Sequence, residues 1–410
     1  MKRLLSVLGA LVLVGAVVAV VVWQRPDPTP APPPPLKDFS LQYADGSPLW
    51  NSKDPQTPLV TQVLAELRLQ GSFQLDDLKR VAATVVTTLD PKAQAAGTAV
   101  LAEIASSGSG TLRYSLTAVD PATGGVVAYV PGTPREDKTD YAGGVLKEPG
   151  TAFFLINVAA ALENGQTLDS TFDGRSPRQF GNGATRVVIR NKKNAQCGQQ
   201  CAVREAFAKS VNTAMYDLTF NQVGIQRTVK AARQAGVPEA VTVDGKEKKL
   251  LVGEDGGVPN AGIALGGDQA VMRPLDLTTV YATFAAGGVG HKTHFVTKVS
   301  GEDGAVLYRA TESTTSAFDA DSAKSKAISD QVTSVLKETT LCPGAVCRNG
   351  EHELDPRVTN GVEAQVGHAW TVGYTGRMAI TVLVDDVNER QPVKDDGLST
   401  TIWQKFAERV

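Results

Sequence analysis

One stretch, Glu148 to Gly165 (EPGTAFFLINVAAALENG), constrains the fold of this chain more than any other. Pro149-Gly150 is a breaker and Asn164-Gly165 supplies a left-handed stop, so the residues between read as a single helix with defined ends. Between those ends almost every side chain is apolar, on all faces. A helix apolar all round is buried in the middle of a sizeable domain. The pattern therefore predicts the central helix of the main domain. Its first turn holds Thr151, where free N–H groups and the helix dipole favour negative charge. A hydroxyl there suits a nucleophile; it equally suits a plain N-cap.

The 410 residues leave room for more than one folded unit. Charge is balanced, with 41 basic and 43 acidic residues giving −2, which points away from a nucleic-acid partner. The four histidines are too scattered for a metal cluster. Glu351-His352-Glu353, the one tight acidic/His group, reads as part of a polar loop, and no cofactor is expected.

The N-terminus sets the expected compartment. Met1-Lys2-Arg3 precedes an uncharged run, Leu4 to Trp23, long enough as a helix (~30 Å) to cross a bilayer. The run meets Gln24-Arg25 without a small-residue cleavage site, so it reads as an uncleaved anchor rather than a signal peptide. Residues 1–23 are then a cytoplasmic tip and single-pass anchor, and everything after Trp23 lies outside the cytoplasmic membrane. Residues 24–38, with Pro32 to Pro35 at their centre, form a stiff, extended spacer. In that compartment the local pairs Cys197/Cys201 and Cys342/Cys347 read as disulfides closing small surface loops.

Residues 39–110 read as a small linker unit: a helix over Leu59–Leu69, a short one from Leu75, a strand over Ala83–Leu89, and a helix after Asp90-Pro91. The main domain, 111–410, opens with two strands, Leu112–Val119 and Val126–Val130, joined by a turn at Asp120–Gly125. After the central helix, Gly174–Gln200 is polar and expected to loop over the surface. Helical patterns follow over Val203–Val223, Ile225–Ala235, Pro274–Ala286 and Ser322–Lys337. Residues 294–309 and the pair Ala369–Tyr374/Met378–Val384 read as hairpins, and Thr400–Arg409 as a terminal helix. Strands at both ends of the domain with helices between them imply an α+β fold, mainly an antiparallel sheet covered by helices.

The order of these pieces resembles the penicillin-binding proteins, specifically the β-lactamase-like transpeptidase domain of the bifunctional class. Val85 to Gln94 is similar to the segment joining that family's two domains, Thr117 to Gly124 to its first strand and turn, and Pro149-Gly150-Thr151 with Ala159–Gly165 to its nucleophile helix. Glu205 to Ala214, Ala264–Gly267, Tyr281–Ala285 and Ala369–Thr375 complete the match. The resemblance runs from about residue 59 to the C-terminus. Only the spacer and a short stretch precede the joining segment, so the family's glycosyltransferase domain is expected to be absent.

The family's acyl transfer needs S-x-x-K, S-x-N and K-T-G motifs. A serine hydroxyl is a poor nucleophile until a nearby base takes its proton. Here the first motif reads Thr151-Ala152-Phe153-Phe154, with threonine for serine and phenylalanine for lysine. The second, Ser210-Val211-Asn212, is intact. Counting back without gaps from Ala369-Trp370 puts the third at Thr359-Asn360-Gly361, and a shifted register at Gln365-Val366-Gly367; neither holds a lysine. Lys209 beside Ser210 is a poor substitute, because adjacent helical residues face different ways. Losing a general base typically costs about 10²- to 10⁴-fold.

The resemblance thus implies a membrane-anchored, extracytoplasmic transpeptidase-like protein with a degenerate, inactive site. It would act in cell-wall assembly by binding peptidoglycan or its stem peptide, or a protein of the synthesis machinery. Two alternatives stay open: an active D,D-transpeptidase or carboxypeptidase using Thr151 or Ser210, and a purely structural envelope protein.

Overall fold

Five antiparallel strands form the main sheet: β1 (Leu112–Val119), β2 (Val126–Val130), β3 (Val346–Gly350), β4 (His368–Tyr374) and β5 (Ala379–Asp386), in the order β3-β4-β5-β1-β2. The computed structural model describes residues 35–410 except 108–109, 133–137, 184–185, 193–194, 244, 339–340, 343, 351–366 and 388–396. The expected anchor, Glu351–Glu353, Thr359, Gly361, Gln365 and Val366 lie outside the described residues. Among the described residues, no helix is long and apolar enough to cross a membrane.

Period-two alternation buries the sheet on both faces. Ile380, Val382 and Val384 of β5 meet Trp403 and Phe406 on one side. Thr381 turns to the other, 2.8 Å from the Thr278 hydroxyl. The first face is covered by helices α1 (Pro91–Ser107) and α7 (Leu398–Arg409). The second receives the central helix α2 (Phe154–Glu163), α3 (Val203–Ala208), α4 (Asn212–Asp217), α5 (Pro274–Ala285) and α6 (Ser322–Glu338). The two hairpins and the terminal helix fall where the residue pattern puts them.

A second five-stranded sheet runs Val306–Arg309, Val296–Ser300, Thr84–Thr87, Ser40–Gln42, Pro48–Asn51. Strands from residues 40–87 and 296–309 therefore share one sheet, and Asp38–Val410 forms one compact unit. Glu66, buried in the helix Pro58–Gln70, clamps that helix to the sheet. Its carboxylate accepts the N–H groups of Phe295 (2.5 Å) and Val296 (3.1 Å). Burial outweighs those bonds and pushes its pKa up to about 7.

Two helical expectations are corrected. The stretch after Pro149 is not one uniform helix: Gly150–Phe153 is a 3₁₀ turn, and the α-helix begins at Phe154. Thr151 is accordingly no N-cap, but lies within that turn, only 4 % exposed. The C-terminus behaves as expected. Gly165 is left-handed (φ 82°), and N–H bonds from Gly165 to Leu162 and from Gln166 to Ala161 close a Schellman motif. The long helix expected over Val203–Val223 breaks between α3 and α4, because Ser210 takes a left-handed backbone (φ 55°). Such a conformation costs a side chain steric energy, so it persists where surrounding contacts over-determine it.

Candidate active site

The 3₁₀ turn is built from below. Gly150 N–H donates to the Gly266 carbonyl (3.0 Å), the Tyr281 hydroxyl to Ala152 O (3.1 Å), and Asn157 Nδ2 to Ala264 O (2.7 Å). Gly266 is left-handed (φ 70°), and a Cβ there would stand 2.0 Å from the Gly150 carbonyl oxygen. Only glycine permits this approach. From the other side, His368 Nε2 and Trp370 Nε1 of β4 each lie 2.9 Å from the Glu148 carbonyl oxygen.

The second motif is brought to the same place. Asn212 opens α4 and donates through Nδ2 to Arg190 O (3.1 Å), while Asn191 Oδ1 accepts the N–H (2.9 Å) and hydroxyl (3.0 Å) of Thr213. The Gly174–Gln200 segment, expected as a surface loop, thus docks onto this motif and carries a short ribbon, Arg178–Phe180 with Val187–Ile189. Lys209 is half-exposed and pairs with Glu205 at 2.7 Å. Both expected disulfides, Cys197–Cys201 and Cys342–Cys347, are formed.

One residue joins these pieces, and sequence reasoning missed it. Arg348, on edge strand β3, extends onto the face of the sheet that holds α2. Its Nε donates to Thr151 O (3.1 Å), Nη1 to Phe207 O (2.8 Å) and Nη2 to Ser210 Oγ (2.6 Å). The guanidinium carbon lies 4.6 Å from the Phe207 ring centre and 5.7 Å from that of Phe154. Thr151, Phe154 and Ser210 are therefore gathered around one cation. Guanidinium is a fork of donors with no acceptor and no accessible deprotonation. It holds Ser210 as a hydrogen-bond acceptor and cannot take the serine proton. Phe154 offers no proton acceptor either.

The Penicillin binding protein transpeptidase domain family matches residues 114–401, which span the Gly150–Phe153 turn, Ser210-Val211-Asn212 and β3–β5. The chain belongs to the penicillin-binding protein transpeptidase family. This transpeptidase domain is 33 % identical over 338 residues to penicillin-binding protein 1A of Mycolicibacterium smegmatis, covering 78 % of this chain and 40 % of that one. It is 30 % identical to penicillin-binding protein 1A of Mycobacterium tuberculosis, covering 86 % and 43 %. The chain thus spans about two fifths of the length of these curated relatives. The solved structure of PonA1 from Mycobacterium tuberculosis in complex with penicillin V superposes with a TM-score of 0.72 at 29 % identity, covering 85 % of this chain and 91 % of that one.

Within the transpeptidase fold, Arg348-Asn349-Gly350 keeps the cation–polar–glycine order of K-T-G on the strand that pairs with Trp370–Tyr374. That order was the available sequence signal.

Proposed function

We propose that this protein is a catalytically inactive transpeptidase domain, anchored by Leu4–Trp23 with its folded part outside the cytoplasmic membrane. It acts in peptidoglycan assembly by binding, either a stem-peptide fragment or a protein of the synthesis machinery. The third motif in this reading is Arg348-Asn349-Gly350, in place of the two registers expected from ungapped and shifted counting. The observation that carries the reading is the Arg348 guanidinium on Ser210 Oγ and Thr151 O, with Phe154 beneath it. A ring takes the place of the base at one corner, and at the other a guanidinium keeps the cation but accepts no proton. Acyl transfer needs a proton acceptor at the hydroxyl, and losses within one catalytic unit leave little residual rate.

Incubation of the full-length chain with a large excess of penicillin, followed by intact-mass measurement, tests this. The expected result is the unmodified mass throughout. An acyl adduct mapping to Thr151 or Ser210 overturns the reading and restores an enzyme. Calorimetric titration with a stem pentapeptide then divides the binding roles: heat of binding supports a peptidoglycan ligand, and its absence a protein partner.

A further inference from the structure

Arg348 sits on a strand with weak intrinsic register. β3 is five residues long, lies at the edge of the main sheet, and among the described residues pairs with β4 alone. Because side chains alternate, a one-residue slip would turn Arg348 away from the site, to the opposite face of the sheet. Something must hold this short ladder in place.

Two observations identify the holder. Cys347 precedes Arg348 and points to the opposite face, into the cluster that contains Trp403 and Phe406. There it is bridged to Cys342, which is equally buried. Cys342 lies just beyond α6, the helix that packs against both α2 and β3. The bridge therefore ties the strand to an element fixed against the central helix. Across the ladder, Cys347 stands opposite Gly373. A Cβ on Gly373 would lie 2.0 Å from the Val346 carbonyl oxygen, 2.5 Å from Cys347 Cα and 2.6 Å from its Cβ. Gly373 is thus a notch that admits the β3 backbone at Val346 and Cys347 in this register.

We propose that the Cys342–Cys347 bridge, seated in the Gly373 notch, is the positioning device that locks β3 in register and so places Arg348 on Ser210. This rests on the reading of Arg348 given above, and the two can fail separately. The test uses the full-length chain carrying Ser210→Cys and follows the pH dependence with which iodoacetamide alkylates the introduced thiol. A guanidinium at hydrogen-bond distance favours the thiolate, so the labelling midpoint should fall about one pH unit or more below the ~8.5 of a free thiol.

Adding Arg348→Gln should return the midpoint towards that value; if it does not, the reading of Arg348 itself fails. Adding Cys342→Val with Cys347→Ala should raise the midpoint as Arg348→Gln does. A midpoint that stays low without the bridge overturns the positioning role while leaving Arg348 intact. Should the bridge-free variant not fold, Gly373→Ala with the bridge present decides. It should raise the midpoint, and an unchanged midpoint overturns the proposal.

Discussion

The Arg348 guanidinium carbon lies 5.7 Å from the centre of the Phe154 ring, and in the reading proposed above these are the two positions where the family's motifs carry lysines. A lysine in place of Phe154 would bring a second cation to this buried place, whereas phenylalanine offers the negative face of its ring. The two replacements are physically coupled. A double-mutant cycle on Phe154→Leu and Arg348→Met should give an interaction energy of about 0.5–2 kcal/mol by urea unfolding. Strict additivity would show that the pair does not interact.

Arg348 also contributes to stability. Truncation to alanine removes the donors to Thr151 O, Phe207 O and Ser210 Oγ at once. Arg348→Ala should destabilise the domain by roughly 2–4 kcal/mol, since buried acceptors lose charged donors. Chemical denaturation measures this, and a change under about 0.5 kcal/mol, the size of an ordinary surface substitution, would contradict the hydrogen-bonded geometry.

Gly266→Ala tests the floor of the Gly150–Phe153 turn. The added Cβ meets the Gly150 carbonyl oxygen, and the left-handed backbone adds its own penalty. A loss of about 2–3 kcal/mol is expected in thermal or urea unfolding. Gly165→Ala is the matched control. It is also left-handed but has open space around its Cβ, so it should cost less.

Glu66 and Glu163 predict a pH dependence. Burial raises both to about 7. A carboxyl with a raised folded pKa holds its proton more tightly folded than unfolded. Its stabilising contribution is therefore complete below the unfolded value of 4.5 and is lost as pH rises through about 7. For well-buried Glu66 the effect is on the order of 3 kcal/mol; for half-buried Glu163 it is smaller. Unfolding free energy measured from about pH 4.5 to 8 should fall, and Glu66→Gln should flatten the curve. A wild-type curve that rises over this range would contradict it.

Each disulfide closes a small loop, for which chain entropy predicts about 2 kcal/mol. Intact mass before and after reduction should differ by the hydrogens of two bridges. Material with four free thiols before reduction would refute the bridging.

Much of this protein was determined by local pattern. The all-apolar run with Gly165 behind it reads as a buried helix, and the alternation in Leu112–Val119 as a half-buried strand; that the sheet is covered on both faces came from the packing of helices on either side. The cysteine pairs were legible because they are close in sequence. Where the cation at the site comes from was decided by tertiary structure alone. Arg348 and Ser210 are 138 residues apart, and their contact depends on strand register, which pattern does not specify. The break at Ser210 was hidden for the same reason. Its left-handed backbone is held by long-range contacts, with Arg348 on the hydroxyl and Asn191 on the next helix, that no local propensity contains.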